Sequence, residues 1–454
     1  MAQDIKEHDR ESVTNAAAQR AGNYRWVICA LLLAAIAINY VHRQTIAGLK
    51  EPLSKEFGWD ENGYANVVFW FQAAYALGYV AWGRILDKVG ARVGYTVAFS
   101  IWTVAHTFTG AVTSGFQFIM ARVVLGLGES GSFPSSIKAV TEWFPQRERA
   151  LAAGIFNAGS NIGAIIAPLV VPMIALSVVN MNFGTVHLHM DGLGWGWRGA
   201  FYLTGAASMI WVVIWWLVYR RPTESKKVGA AELALIQSDP ADKVTQVPWL
   251  KLLFVKETWV FALAKFMIDP IWWLYLFWLP DFMHKRYELD ISSFGPPIVA
   301  IYLLSDIGSV AGGWLSSTLI KRGLTVNASR KITLFVFALM VLPMLFAQGV
   351  HDLWTAVLII GLAAAAHQAF SANVYTLPSD LFPRSAVGSV IGIGGTAGAI
   401  GGMFMSKFVG FILETTHSYA IIFAIAAFTY LAAFGVIHLL SPRLKRNEFI
   451  PEAL

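Results

Sequence analysis

The chain has 454 residues, 56% of them hydrophobic and only 14% charged, with a mean hydropathy of +0.55. A water-soluble domain carries about 25% charged residues, so a soluble enzyme or binding module of this size is excluded. The formal charge of +6 does not call for nucleic acid as a partner, because the basic residues follow membrane loops, and the single cysteine, Cys29, excludes intrachain disulfides and cysteine-built metal sites.

The polar first 25 residues carry no cleavable signal, because the apolar run after them lacks a cleavage site of small residues; residues 1–25 are expected to be a tail. Apolar stretches of about 20 residues, enough to cross roughly 30 Å of hydrocarbon, then recur at 26–48, 62–86, 94–113, 116–138, 150–178 and 199–219. Six more follow at 257–280, 296–319, 331–349, 353–377, 388–412 and 419–440. They are numbered spans 1 to 12. The expected fold is an all-α polytopic membrane protein of twelve transmembrane helices in two six-helix bundles, 26–219 and 257–440. A polar linker, 220–256, joins the bundles, with a short surface helix around Ala230 to Gln237, and 441–454 form a second tail.

With both termini placed in the cytoplasm, 24 of the 34 Lys and Arg fall in cytoplasmic segments and five in outer loops. This bias sets the expected topology: a multi-pass protein of the inner membrane. Lys138 and Lys407 lie near helix ends, where they can snorkel. Arg43, Arg122 and Lys265 are left at membrane depth, where a formal charge costs roughly 3 kcal/mol or more and marks function by default. Arg122 and Glu129, seven residues apart in span 4, share one helix face about 10 Å apart along the axis. That face is expected to look into a wet cavity.

The halves repeat. Glu142-Trp143-Phe144-Pro145 and Asp380-Leu381-Phe382-Pro383 align at an offset of 238 residues, Gly154 matches Gly392, and Glu129 falls opposite His367. A six-span repeat is the signature of transporters that rock two halves about a central site.

Between spans 2 and 3 stands Gly83-Arg84-Ile85-Leu86-Asp87-Lys88-Val89-Gly90-Ala91-Arg92. With twelve spans, this pattern of Gly, Asp and basic residues resembles the signature loop of the major facilitator superfamily. It implies a conformational latch built from Gly83, Asp87, Lys88 and Arg92, in which an acid at a helix end pairs with a neighbouring helix end in one conformation and releases it in the other. The counterpart Gly313 to Arg330 has Lys321, Arg322 and Arg330 but no matching aspartate, so the latch is expected to be stronger in the first half.

Asn39-Tyr40-Val41-His42-Arg43 in span 1, Arg122 with Gly126-Leu127-Gly128-Glu129 in span 4, and Trp143-Phe144-Pro145 resemble the anion:cation symporter family. Lys265 to Trp273 in span 7, Ser305-Asp306-Ile307-Gly308 in span 8 and His367 to Asn373 in span 10 are similar to its hexuronate transporters. The resemblance implies import of glucuronate or galacturonate with protons. A hexuronate has one carboxylate and several hydroxyls, so its site wants fixed cations, polar partners and aromatic faces. Arg43 offers a fork for the carboxylate, with Asn39 and Tyr40 on its helix face, and Lys265 offers a second cation. Trp272, Trp273 and Tyr275 are candidates to stack on the ring. Gln368, Ser371 and Asn373 are candidates for its hydroxyls, His367 binds either substrate, the favoured reading, or a proton, and Tyr75, Gln72, Asn157, Ser160 and Asn161 are weaker ligands.

Alternatives stay open at several positions. Arg122 either binds substrate or pairs with Glu129, and Lys265 and Asp269, four residues apart, either serve the site or neutralise each other. Glu129 is the expected coupling site, because a substrate carboxylate competes with it for the arginines, so that protonation of Glu129 and anion binding can favour each other. Relatives tend to carry an acid where this chain has His42, which either titrates near neutrality or serves only as a hydrogen-bond partner. Asp306 and Asp269 are further proton candidates. A sodium-coupled or facilitative carrier of another anion, such as galactonate, sialate or phosphate, is the competing reading; an enzyme is not expected, nor a cofactor, and a monomer is.

Three motifs are set aside. Gly126 to Gly131 spells GxGxxG inside a membrane helix with no strand before it, so no dinucleotide site is expected. His187, His189 and Asp191 lack further metal ligands, and Asn327-Ala328-Ser329 is expected to face the cytoplasm.

Overall fold

The structure, a computed structural model, describes residues 22–183, 186–238, 249–382 and 384–444. Most of the tail 1–25, the middle of the linker and the last ten residues lie outside them, as does Pro383 of the repeat. Nine helices among the described residues are long and apolar enough to cross a membrane. Expected spans 2, 3 and 4 lie in the remaining helical segments, which brings the membrane helices to the expected twelve.

Span 1 is Tyr24–Gly48. Spans 2 and 3 form one helical run, Glu61–Thr109, capped by the Asp60 side chain on the Gly63 amide at 2.6 Å. It is broken at Gly90, where φ is 76°. Only glycine adopts that conformation cheaply, and it turns the chain back far enough for Gly94 to meet Leu86. Span 4 comes in two pieces, Gly115–Glu129 and Ser132–Trp143, so Glu129 ends the first. Spans 5 and 6 are Gln146–Ala175 and Gly196–Val218. The second half holds span 7 at Lys256–Tyr287 and span 8 at Gly295–Lys321. Span 9 is Val326–Met340, continued by a 3-10 turn at Leu342–Gly349. Spans 10, 11 and 12 are Leu353–Val374, Arg384–Thr416 and Ala420–Leu440.

The sequence reading did not foresee the strands between spans 5 and 6. Residues 178–191, expected to be a loop, form an antiparallel hairpin of β1 (Val178–Phe183) and β2 (Val186–Asp191), with Val178 opposite Asp191 and Asn180 opposite His189. The strands read with period two, which suits a pleated ribbon. His189 Nδ1 sits 2.7 Å from Asn180 Oδ1, and no group of three metal-ligating side chains occurs among the described residues. In the linker a helix covers Ala230–Ile236.

The repeat is visible in the packing: span 1 lies on span 5 as span 7 lies on span 11, and span 2 on span 4 as span 8 on span 10. The halves meet through spans 2 and 11, 5 and 8, and 1 and 7. Close approach is bought with small residues, as membrane helix packing requires. A Cβ on Gly126 would strike Phe71 O of span 2, and one on Gly128 would stand 2.7 Å from the Trp102 amide of span 3. The GxGxxG string is therefore a packing pattern.

Gly308 of span 8 is the tightest such contact in the second half, because a Cβ there would collide with the Ala365 backbone of span 10. Gly308→Leu should cost about 1–3 kcal/mol through overpacking and lower the midpoint of thermal unfolding in detergent by several degrees. An unchanged midpoint would show that the two spans are free to separate.

Candidate functional site

Two clusters face each other at mid-depth. In the first half, the Arg43 guanidinium of span 1 donates to Glu129 Oε2 of span 4 from Nε at 3.1 Å and from Nη2 at 2.9 Å, and to Asn39 Oδ1 at 3.1 Å. Arg43 and Glu129 are 3% and 0% exposed, so the pair is dry. Four rings surround the guanidinium: Tyr40 and Trp273 at 4.8 Å, Tyr75 at 5.1 Å and Phe71 at 5.6 Å. Trp273 belongs to span 7, so this cage already crosses between the halves.

Arg122 is the anomaly. It is 1% exposed, its guanidinium lies over Phe71 at 4.7 Å, and its three side-chain nitrogens have no hydrogen-bond partner. Glu129 Oε1 has none either. Pairing of Arg122 with Glu129, left open by the sequence, is not what the structure shows: Glu129 has paired with Arg43, and Arg122 is a buried cation with unused donors. Such a group is costly to leave unmatched, and an incoming anion satisfies it.

In the second half, Lys265 Nζ is 2.7 Å from Asp269 Oδ1 and donates to the Tyr375 hydroxyl at 2.8 Å. His367 lies parallel to Trp272 at 5.2 Å and has Nδ1 2.6 Å from the Tyr430 hydroxyl. Tyr275, edge-on to both, keeps a buried hydroxyl without a partner. Gln368 and Ser371 lie further along span 10, partly and fully buried. Asn373, expected as a ligand, donates its amide to Gly312 O at 3.0 Å and Ala369 O at 2.9 Å. It ties span 10 to span 8.

His42 points away from Arg43, towards span 6, with Nε2 2.8 Å from Ser208 Oγ. Asp306 of span 8 accepts from Asn161 of span 5 across the halves, which gives both residues a partner within the seam. In the loop between spans 2 and 3, a Cβ on Gly83 would meet nothing within 4 Å and Lys88 is exposed. Arg92 donates to Trp216 O of span 6 at 2.7 Å, while the Asp87 side chain lies outside the described ones. The repeat offset puts Arg92 opposite Arg330 and Glu142 opposite Asp380. Arg330 pairs with Asp380 at 3.0 Å and donates to Ser316 at 2.8 Å, whereas Glu142 accepts from Tyr219 at 2.7 Å. The expected asymmetry of the latch turns on Asp87 and so lies outside the described side chains; in the second half, Arg330 takes its acid from the end of span 10, where the loop motif gave no hint of it.

The sequence reading missed a charge cluster at the face opposite the linker. Lys50, at the end of span 1, is 2.7 Å from Glu61 of span 2 and 2.5 Å from Asp281 of span 7. It also sits over the rings of Tyr64 and Trp278 at 5.0 and 4.8 Å. Asp281 further accepts from Tyr419 at 2.5 Å and pairs with Lys285, which also pairs with Glu61. The signal was present as Lys50 and Lys285 in the outer-loop count, where loop position hid their burial. Deeper in the seam, Ser406 donates to Gln72 at 2.9 Å, Lys407 to Asn66, and Gln44 to Tyr302 at 2.8 Å. Towards the linker face, a Cβ on Gly154, Gly388 or Gly392 would meet nothing within 4 Å. On the Lys50 face the seam is held closed by these contacts.

The profile of the Major Facilitator Superfamily matches residues 32–329. The chain belongs to the major facilitator superfamily. Members of this superfamily to which it is similar include the hexuronate transporter of Escherichia coli strain K12, 29% identical with 90% of this chain and 92% of that protein covered. Another is the D-galactonate transporter of Escherichia coli O6:H1, 27% identical with 93% and 96% covered. A crystal structure of a bacterial homolog of the human lysosomal transporter Spinster, in an inward-facing and occupied conformation, shares the fold. Its TM-score is 0.70 at 19% identity, with 93% of this chain and 98% of that one covered. The protein is a multi-pass membrane transporter, and the superfamily and these relatives are not enzymes.

Breaking a buried pair by removing one partner costs several kcal/mol, so Lys50→Met should weaken the closed face. In a Cys29→Ser, Ala65→Cys background, with Ala65 buried in the seam, labelling by an impermeant maleimide should rise roughly tenfold, the equivalent of about 1.4 kcal/mol. Labelling no faster than with Lys50 present would remove the cluster from the gate.

Proposed function

We propose that the protein imports a hexuronate, glucuronate or galacturonate, by proton symport through alternating access. The observation that carries this reading is Arg122, a buried guanidinium with no hydrogen-bond partner beside the Arg43–Glu129 pair. A carboxylate matches its fork, and the surrounding tyrosines and tryptophans offer the amphipathic faces that a sugar ring wants. Similarity to the hexuronate transporter supports the choice of sugar acid.

Charge bookkeeping supports coupling. Arg43, Arg122 and Lys265 bring three positive charges to the centre, and Glu129 and Asp269 bring two negative ones. One positive charge is left over. A substrate carboxylate alone would cancel it, and substrate plus a proton on Glu129 leaves it unchanged. A proton on Glu129 also releases Arg43 for the substrate, so proton and anion favour each other in the linkage sense. The second half contributes Lys265 and the Trp272–His367 stack to hydroxyls and ring. The linker face is the cytoplasmic one by the excess of Lys and Arg there, in a bacterial inner membrane. The described state is then inward-facing.

Labelled glucuronate should accumulate in proteoliposomes under an inward pH gradient and not under a sodium gradient, with galacturonate the strongest competitor against galactonate and gluconate. Sodium-driven uptake, or preference for galactonate, would replace this reading. Glu129→Gln should lower pH-driven accumulation at least tenfold, a loss of about 1.4 kcal/mol of coupling, while counterflow exchange continues. Arg43→Ala should abolish binding, and accumulation that survives Glu129→Gln would move the proton elsewhere.

A further inference from the structure

Span 12 contributes a tyrosine, Tyr430, that neither the repeat nor the charge count singles out. It is fully buried and packs edge-on against His367 and Phe370 of span 10, with ring centroids 5.8 and 5.4 Å away. Its hydroxyl lies 2.6 Å from His367 Nδ1 and has no other hydrogen-bond partner among the described residues. The neighbouring Tyr275 hydroxyl is itself without a partner. If Nδ1 were the donor, the Tyr430 proton would be stranded in a dry site, which is costly. Tyr430 is therefore the donor, and the imidazole hydrogen sits on Nε2. Nε2 has no partner among the described residues and keeps the solvent contact that Tyr430 lacks, so its N–H group is free at the cavity wall. The ring plane is fixed by Trp272, parallel at 5.2 Å, and Trp272 stands edge-on at 5.8 Å to Tyr302, which accepts from Gln44 of span 1 at 2.8 Å. Trp272 also neighbours Tyr40, whose ring lies 4.8 Å from the Arg43 guanidinium. The free donor thus stands at the seam, on the second half's side of the centre.

We propose that Tyr430 is a positioning residue for the sugar acid: it holds His367 in the Nε2–H form, so that the second half presents a neutral, directed donor to an acceptor oxygen of the substrate. This rests on the hexuronate reading above and goes beyond it. A neutral imidazole with nothing on Nδ1 takes either tautomer, and in one of them Nε2 carries a lone pair that repels an acceptor oxygen. Tyr430 removes that choice from a distance, without touching the substrate. The donor's neutrality suits its place. The carboxylate of a hexuronate is matched by the guanidinium groups of the first half, which leaves ring and hydroxyl oxygens, rich in lone pairs and without formal charge, for the second. Lys265 is already engaged by Asp269 and Tyr375, and Asn373 by backbone carbonyls. His367 Nε2–H is therefore the second half's ready donor. A site built to bond a substrate oxygen rejects an analogue that lacks it far better than an apolar wall does.

Tyr430→Phe keeps the ring and removes the hydroxyl. In counterflow exchange of labelled glucuronate by proteoliposomes of the full chain, it should raise the half-saturating concentration about tenfold, as one neutral hydrogen bond would, while the maximal rate falls less than about twofold. Two amide replacements show which nitrogen matters, since His367→Gln puts an N–H near the place of Nε2 and His367→Asn near that of Nδ1. The Gln variant should bind glucuronate about tenfold more tightly than the Asn variant. Adding Tyr430→Phe to the Gln variant should change affinity less than about twofold, because an amide has no tautomer to fix. Nitrogen NMR of histidine-labelled protein, with His367 identified by the signal missing from His367→Gln, should show Nε2 protonated and Nδ1 bare in the wild type, and both tautomers in Tyr430→Phe. If Tyr430→Phe does not fold, the two amide variants and the wild-type spectrum decide the matter alone. An unchanged half-saturation in a folded Tyr430→Phe, a proton on Nδ1 in the wild type, or equal affinities in the two amide variants would each overturn this proposal and leave the hexuronate reading standing. A wild type that exchanges no hexuronate would sink that reading, and this proposal with it.

Discussion

The Arg43–Glu129 ion pair sets the terms for the rest of the molecule. A charge at membrane depth is tolerated only where protein groups replace water, and here the replacement is thorough. Two guanidinium nitrogens reach one carboxylate oxygen, an asparagine takes a further bond, and four aromatic rings close over the cation. A buried pair of this kind contributes little to stability on its own, yet it is costly to break when one partner is removed. It is therefore a point where the state of a single proton or a single ligand can redirect a large interaction. Arg122, buried beside it without a hydrogen bond, leaves the centre short of an acceptor.

The seam between the halves obeys the same physics in the opposite sense. On the Lys50 face it is zipped by charges that cross from one half to the other, and below them by amide and hydroxyl bonds. On the linker face, glycines at equivalent places in the two halves look into open space. A pore would need both faces open; a carrier needs one closed by contacts that are strong together and individually reversible. Small residues let the moving helices press backbone to backbone where they are closed, and they leave no side chain in the way where they are apart.

Much of the fold was legible because hydrophobic length is a strong signal and bilayer thickness is fixed. Spans whose ends carry prolines, glycines or polar caps fell within a few residues of their places. The hairpin at Val178–Asp191 escaped because a short stretch between two long apolar spans reads as loop, and its alternation is brief. At the site, the intramembrane charges were found because they are anomalous on composition alone, and Arg43, Asn39, Tyr40, Tyr75 and Trp273 do converge. What the sequence could not give was who partners whom. Arg43 and Arg122 are equally good mates for Glu129 on paper, and only the angle between spans 1 and 4 decides. Asn373 reads as a ligand until its amide is found on two backbone carbonyls. His106 of span 3 went unnoticed because one histidine among aromatics looks like packing until His42 is found flat against it, ring centroids 3.7 Å apart.

The unequal fate of the repeat at the linker face bears on how such a carrier is tuned. Arg330 holds Asp380, while the matching arginine, Arg92, rests on Trp216 and the matching acid, Glu142, on Tyr219. Two identical halves would share one set of contacts, and nothing at this face would distinguish their preferences. Divergence after duplication instead lets each half hold its own bias, so the idle population can drift towards one side through substitutions of a few peripheral residues. Selection can then adjust how long the carrier waits, and on which side, without altering the cavity that chooses what is carried.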